Sequence, residues 1–84
     1  MHRTETLQRK QLIDKTLLNN GNRSLFISEI RDKILKYFGE DLSYEQIHYI
    51  LSHEDFCADY IRDIGHPDRY QLEPTYYLTL TQSK

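Results

Sequence analysis

Tryptophan is absent, cysteine occurs once, and glycine and proline together supply only five of the 84 residues. Each scarcity excludes something. The lone Cys57 has no partner for an internal disulfide, so nothing staples the fold covalently and a reducing compartment suits the chain. Low glycine and proline argue against a fibrous or low-complexity segment. No apolar run comes near the roughly eighteen residues of a membrane span, and Met1 to Lys10 lacks the apolar centre of a secretory signal. The expectation is a cytoplasmic protein with no membrane segment. A length of 84 residues leaves no room for two cores, which predicts one domain over residues 1–84. There is no glycine-rich phosphate loop, and a chain this short has little space for a substrate pocket with an oxyanion site, so no enzyme and no catalytic residue is expected.

What is present is charge, unevenly placed. Residues 1–40 hold eight basic against five acidic side chains, whereas residues 41–84 hold three basic against eight acidic ones. The net charge of −2 gives no overall field for non-specific attachment to phosphate backbones, so any nucleic-acid surface has to be local.

The pattern of elements is readable along the chain. Thr4 to Leu18 or Asn19 reads as a helix with Leu7, Leu12, Ile13, Leu17 and Leu18 as a ragged apolar stripe and its basic residues outward, closed by the Asn19-Asn20-Gly21-Asn22 break. Ser24 to Ile27 is long enough for a strand and too short for a helix. Ser28 then offers a cap to a second helix, whose Ile30, Ile34, Tyr37 and Phe38 share one face before Gly39 stops it. Ser43 and Gln46 form a capping box for a third helix, with Leu42 and Ile47 as the hydrophobic staple and Ile47, Ile50 and Leu51 inward. That helix is expected to end near His53 to Asp55. Phe56 to Ile64 reads either as a helical continuation or as a strand; the strand is preferred because Glu54 and Asp55 suit a helix interior poorly and Gly65-His66-Pro67-Asp68 is turn chemistry. Tyr70 to Leu72 and Tyr76 to Thr81 are rich in strand formers, with Pro74 breaking the stretch between them, which makes the C-terminal third a β-hairpin.

This order, with Tyr60-Ile61-Arg62 and Tyr76-Tyr77-Leu78-Thr79-Leu80 as wing strands, resembles the winged helix-turn-helix superfamily. The resemblance implies an α+β fold of three helices, a short strand and a C-terminal hairpin wing. The turn before the third helix is longer than in the compact helix-turn-helix of phage repressors.

The resemblance implies further that the third helix enters the major groove, presenting Tyr44, Glu45, Gln46, His48 and Tyr49 to base edges. That set contains no cation. Holding the duplex would then fall to Arg3, Arg9, Lys10, Arg23, Arg31, Lys33 and Lys36, with His66 and Arg69 on the wing. The expected function is that of a small double-stranded-DNA-binding protein, a transcriptional regulator or mobile-element accessory factor, working as a homodimer because one weakly basic module binds loosely. The alternative is a protein-interaction module of the same architecture that takes a basic partner through the third helix and the acidic hairpin. His48, His53, Cys57 and His66 fit no zinc spacing, so these are read as scattered surface histidines and a half-buried cysteine, and neither metal nor cofactor is expected. Of the seven tyrosines, Tyr37 and one of Tyr76 and Tyr77 are assigned to the core, leaving Tyr44 and Tyr49 for contact.

Overall fold

The first helix, α1 (His2–Asn19), ends where glycine and asparagine can turn left-handed. Gly21 and Asn22 take φ of 71° and 55°. Their amides return to the carbonyls of Leu18 and Leu17, at 3.2 and 2.9 Å, in the five-to-two and six-to-one pattern that satisfies helix-end carbonyls. A computed structural model describes residues 2–82, with side chains from Thr4 onward. It is an α+β fold of four α-helices and a three-stranded antiparallel sheet, in the order α1, β1 (Leu25–Phe26), α2 (Ile27–Phe38), α3 (Tyr44–Ser52), a 3-10 turn (Cys57–Asp59), β2 (Tyr60–Asp63), β3 (Arg69–Leu72) and α4 (Pro74–Gln82).

Helix α2 starts at Ile27, with its cap two residues before the expected Ser28. Phe26 is its cap, and the Glu29 carboxylate accepts the Phe26 amide at 2.9 Å, so the acid rather than a serine closes the first turn. Gly39 ends the helix at φ 70°, donating its amide to the Leu35 carbonyl. Helix α3 starts as expected: Ser43 Oγ accepts from the Gln46 amide and Gln46 Oε1 from the Ser43 amide, both at 3.0 Å, while Leu42 and Ile47 are buried together. It stops at Ser52, short of the expected end.

β3 is the central strand, flanked by β1 and β2. Leu25 and Phe26 face Tyr70 and Arg69, and Tyr60 to Asp63 face Leu72 to Arg69. β1 is only two residues long, yet the Asn22 side chain prolongs its pairing. Asn22 Nδ2 donates to the Leu72 carbonyl and Asn22 Oδ1 accepts the Leu72 amide, imitating one more strand residue. Ile13, Leu17, Ile30, Ile34, Ile47, Ile50 and Leu72 are almost wholly buried and join α1, α2, α3 and the sheet in one core.

The C-terminal third departs from expectation. The hairpin closes with Arg69–Leu72, and Tyr76 to Thr81 is helical, giving a fourth helix where a strand was expected. Pro74 begins this helix rather than merely interrupting a strand, since its fixed φ suits a first helical position. Glu73 caps it, accepting the Tyr76 amide on its carboxylate at 2.9 Å and the Tyr77 amide on its carbonyl at 2.8 Å. Tyr76, Tyr77 and Leu80 pack together against the core, a helical spacing that overrides the strand propensity of the individual residues. Both tyrosines are half-buried, whereas alternation would have buried one. Tyr37 is 63% exposed and not a core residue, because Phe38 packs on the core in the last turn of α2. The strand reading of residues 56–64 holds for Tyr60–Asp63, preceded by the 3-10 turn. Among the described residues no helix is long and apolar enough to cross a membrane.

Candidate functional site

The inward face of α3 is set by Ile47, Ile50 and Leu51, and this leaves Tyr44, Glu45, His48 and Tyr49 in solvent. Tyr44 and Tyr49 are about half exposed, at 47% and 52%. The i, i+4 spacing stacks Tyr44 on His48, with ring centroids 6.5 Å apart and planes 10° from parallel. Tyr49 lies against His53 at the same i, i+4 spacing, with centroids 5.0 Å apart but planes tilted by 51°, and His53 lies tilted against the buried Phe56. The outer face of α3 is therefore two aromatic–imidazole pairs with Glu45 between them. Gln46 does not belong with them. It is half-buried and its side-chain oxygen is committed to the Ser43 amide.

The hairpin lies beside this helix. Tyr70 is buried, and burial together with the Asp68 carboxylate pushes its hydroxyl above the ordinary tyrosine range, with Arg62 acting in the opposite direction. In the connecting turn, Asp68 accepts the Gly65 amide at 2.8 Å and lies 3.6 Å from the Arg62 guanidinium. His66 is exposed in that turn.

The fold sorts the basic candidates sharply. Arg23, Lys33 and Arg69, far apart in sequence, line one open hollow of about 340 Å³ with Asn20, Phe26 and Glu29. Arg69 faces Phe26 across the β1–β3 ladder and its guanidinium lies 4.8 Å from the centre of the Phe26 ring. Phe26 was missed in the sequence, and no local signal could have found it, since its role depends on β1 pairing with a strand over 40 residues away. Arg31 and Lys36 are exposed on α2, Lys36 resting 5.5 Å over the Tyr37 ring. Arg9 is half-buried in a groove between α1 and α3 beside Glu45, Gln46 and Tyr49. The side chain of Arg3 lies outside the described residues.

Lys10 has to be removed from the phosphate set. It is 8% exposed, and its ammonium directs its three protons into the protein, to Asp14, Asp59 and the Tyr76 hydroxyl, each at 2.9 Å. It also lies over the rings of Phe56, Tyr60 and Tyr76. The expectation that the basic residues of the first helix all face outward therefore fails at this position. Asp14 is the hub: Tyr60 donates to its Oδ1 at 2.6 Å and Tyr76 to its Oδ2 at 2.5 Å. Burial by itself would lower the Lys10 pKa, but hydrogen bonds to Tyr76, Asp14 and Asp59 outweigh it and hold the ammonium above the ordinary lysine range. Burial first, and then the Asp14 carboxylate, push the Tyr60 hydroxyl far up, and Tyr76 moves the same way.

Cys57 is exposed rather than half-buried, and among the described residues no group of three or more His, Cys, Asp or Glu side chains gathers closely enough to hold a metal ion. No family model, curated protein or solved structure matches the chain.

Proposed function

We propose that the chain is a small winged helix-turn-helix protein that binds double-stranded DNA, in the manner of a transcriptional regulator or mobile-element accessory factor. The observation that carries this reading is the placement of α3: anchored inward by Ile47, Ile50 and Leu51, it offers Tyr44, Glu45, His48 and Tyr49 to solvent beside a two-stranded hairpin. A helix with such a face fits the major groove, where Glu accepts from cytosine and His and Tyr reach other base edges. The order of elements and the sheet order β1-β3-β2 agree with the winged arrangement, with β2 and β3 as the wing and α4 added behind them. The face itself lacks cations, so affinity falls to Arg9 in the groove beside it and to Arg23, Lys33 and Arg69 in the hollow lined by β1, α2 and β3, and pairing of two copies on one site compensates for the scarcity of charge.

Fluorescence anisotropy at low salt against random and selected duplexes tests the reading. Binding in the micromolar range, weakening steeply with salt, is expected; no binding at tens of micromolar protein, about the range of non-specific attachment, removes it.

A second reading rests on Glu5, Glu40 and Asp41, three acids that line, with the single cation Arg9, an open cleft of about 440 Å³ between α1 and the turn before α3. Acids there suit a basic protein partner docked across α3. Pull-down with and without nuclease separates the two: partners that survive digestion favour protein, and partners lost on digestion favour DNA.

A further inference from the structure

We infer that the hollow between β1, the start of α2 and β3 is a phosphate-binding site, in which Arg23, Lys33 and Arg69 hold one phosphate oxyanion. That the oxyanion belongs to a DNA backbone rests on the function proposed above; the pocket chemistry does not. Three cations line the hollow against a single acid, Glu29, and one oxygen of that acid is already committed to the Phe26 amide at 2.9 Å. Lys10 and Arg62 have carboxylates within 4.0 Å, but among the described residues Arg23, Lys33 and Arg69 form no ion pair. Lys33 follows Glu29 by one helical turn, the spacing of a helix ion pair, and still leaves it unmade. Like charges crowded around a concavity repel each other unless an anion enters.

The remaining features fit an oxyanion more closely than a carboxylate side chain reaching in from a partner. Arg69 is held against the Phe26 face without engaging any of its N–H donors, which leaves its fork free for a planar pair of oxygens. Arg23 brings a second fork and Lys33 a point charge, so donors approach from the segment before β1, from α2 and from β3 at once, matching the several oxygens of a phosphate. The twelve-residue helix α2 begins at Ile27, beside the hollow, and its amino end adds partial positive charge on the same side. A volume of about 340 Å³ admits a phosphate with the sugar attached.

The test uses the full chain and two probes. Inorganic phosphate is titrated while backbone amide NMR shifts are followed, and a short duplex is titrated by anisotropy over a salt series. Lys33→Gln and Arg69→Gln are compared with Lys15→Gln, an exposed α1 site away from the hollow, after thermal melts show all three folded. Phosphate is expected to shift the amides of Arg23 to Glu29 in the wild type and the Lys15 variant and to leave them unmoved in the other two. On DNA, Lys33→Gln and Arg69→Gln are expected to weaken every sequence alike and to take about 0.9 from the magnitude of the salt slope, the amount for one phosphate no longer neutralised. Phosphate-induced shifts without duplex binding support the pocket, identify a free phosphate as its occupant, and remove the DNA reading. Duplex binding with an unchanged slope in both variants and no phosphate-induced shift overturns the pocket and leaves the DNA reading standing. Equal losses in the Lys15 variant also overturn it, since they mark an effect of bulk charge.

Discussion

The seam between α1 and α4 and the outer face of α3 invert the usual distribution of residue types. In the seam, Lys10 and Asp14 are buried among Phe56, Tyr60 and Tyr76, with every buried side-chain polar atom partnered among the described residues. On α3, two tyrosines stand about half exposed with histidines at their sides. Charge inside and aromatics outside are each unfavourable, and the two regions offset this differently. The buried ammonium is tolerated because three acceptors surround it. The exposed rings are tolerated because each covers part of its imidazole neighbour, and an exposed aromatic face of this kind suits recognition better than folding.

Four changes break or sharpen the contrast. Asp14→Ala strikes the seam hardest, because it removes the acceptor shared by Lys10, Tyr60 and Tyr76, leaving the buried Tyr60 hydroxyl without its partner and the buried ammonium with Asp59 as its one remaining carboxylate. The expected loss is about 3–5 kcal/mol in urea unfolding. That is a large part of the roughly 5–15 kcal/mol that holds a domain together. A loss below about 1 kcal/mol would mean that the seam is hydrated and contributes little.

Alkaline pH reaches the same seam without mutation. Lys10 and Tyr60 both have pKa values raised in the folded state, so the stability they supply is complete below their unfolded values, near pH 10, and is lost as pH rises through the folded ones. The melting temperature should stay level up to about pH 9 and fall above about pH 10, with the tyrosinate absorbance of Tyr60 appearing only on unfolding. A fall that begins below about pH 9 would place its cause elsewhere.

Ser43→Ala removes one half of the α3 capping box and should cost about 1 kcal/mol. Since the Gln46 side chain still accepts the backbone amide of residue 43, the exposed face of α3 keeps its placement, and DNA affinity should change less than this loss of stability suggests. At the other extreme, Tyr49→Ala should alter stability by no more than about 0.5 kcal/mol, being a surface change. In the proposed DNA complex it should weaken binding by about tenfold, which corresponds to about 1.4 kcal/mol. If Tyr49→Ala instead destabilises the fold as much as a core truncation, the α3 face is structural.

What the sequence disclosed follows the reach of the interactions involved. The Ser43–Gln46 box, the Gly39 stop and the Asn–Gly end of α1 were legible because each is decided within about six residues. The C-terminal helix was not. Tyr76, Tyr77, Thr79 and Thr81 have the composition of a strand, and only docking of Tyr76 onto Asp14 and Lys10, with Tyr77 and Leu80 against the core, selects the helix. Lys10 was misplaced for the same reason, because its acceptors arrive from positions 59 and 76. Of the candidate site, the exposed face of α3 could be read from periodicity, whereas the gathering of Arg23, Lys33 and Arg69 depends on strand pairing across the whole chain.

The seam also bears on how the protein comes to be folded at all. Asp14 bonds to Tyr60 and Tyr76, 46 and 62 positions later, and Lys10 to Tyr76 across 66. Pairings between such distant positions slow the search for the native state, because a long loop has to close before it is rewarded. During synthesis α1 emerges first and waits, carrying a charge pair whose remaining partners stand at positions 59, 60 and 76. Until residue 76 has left the ribosome, the nascent protein can assemble the apolar core of α1, α2 and α3 but cannot close around Asp14. Closure of the seam is therefore a late event in synthesis, and before it the chain is more exposed to proteases.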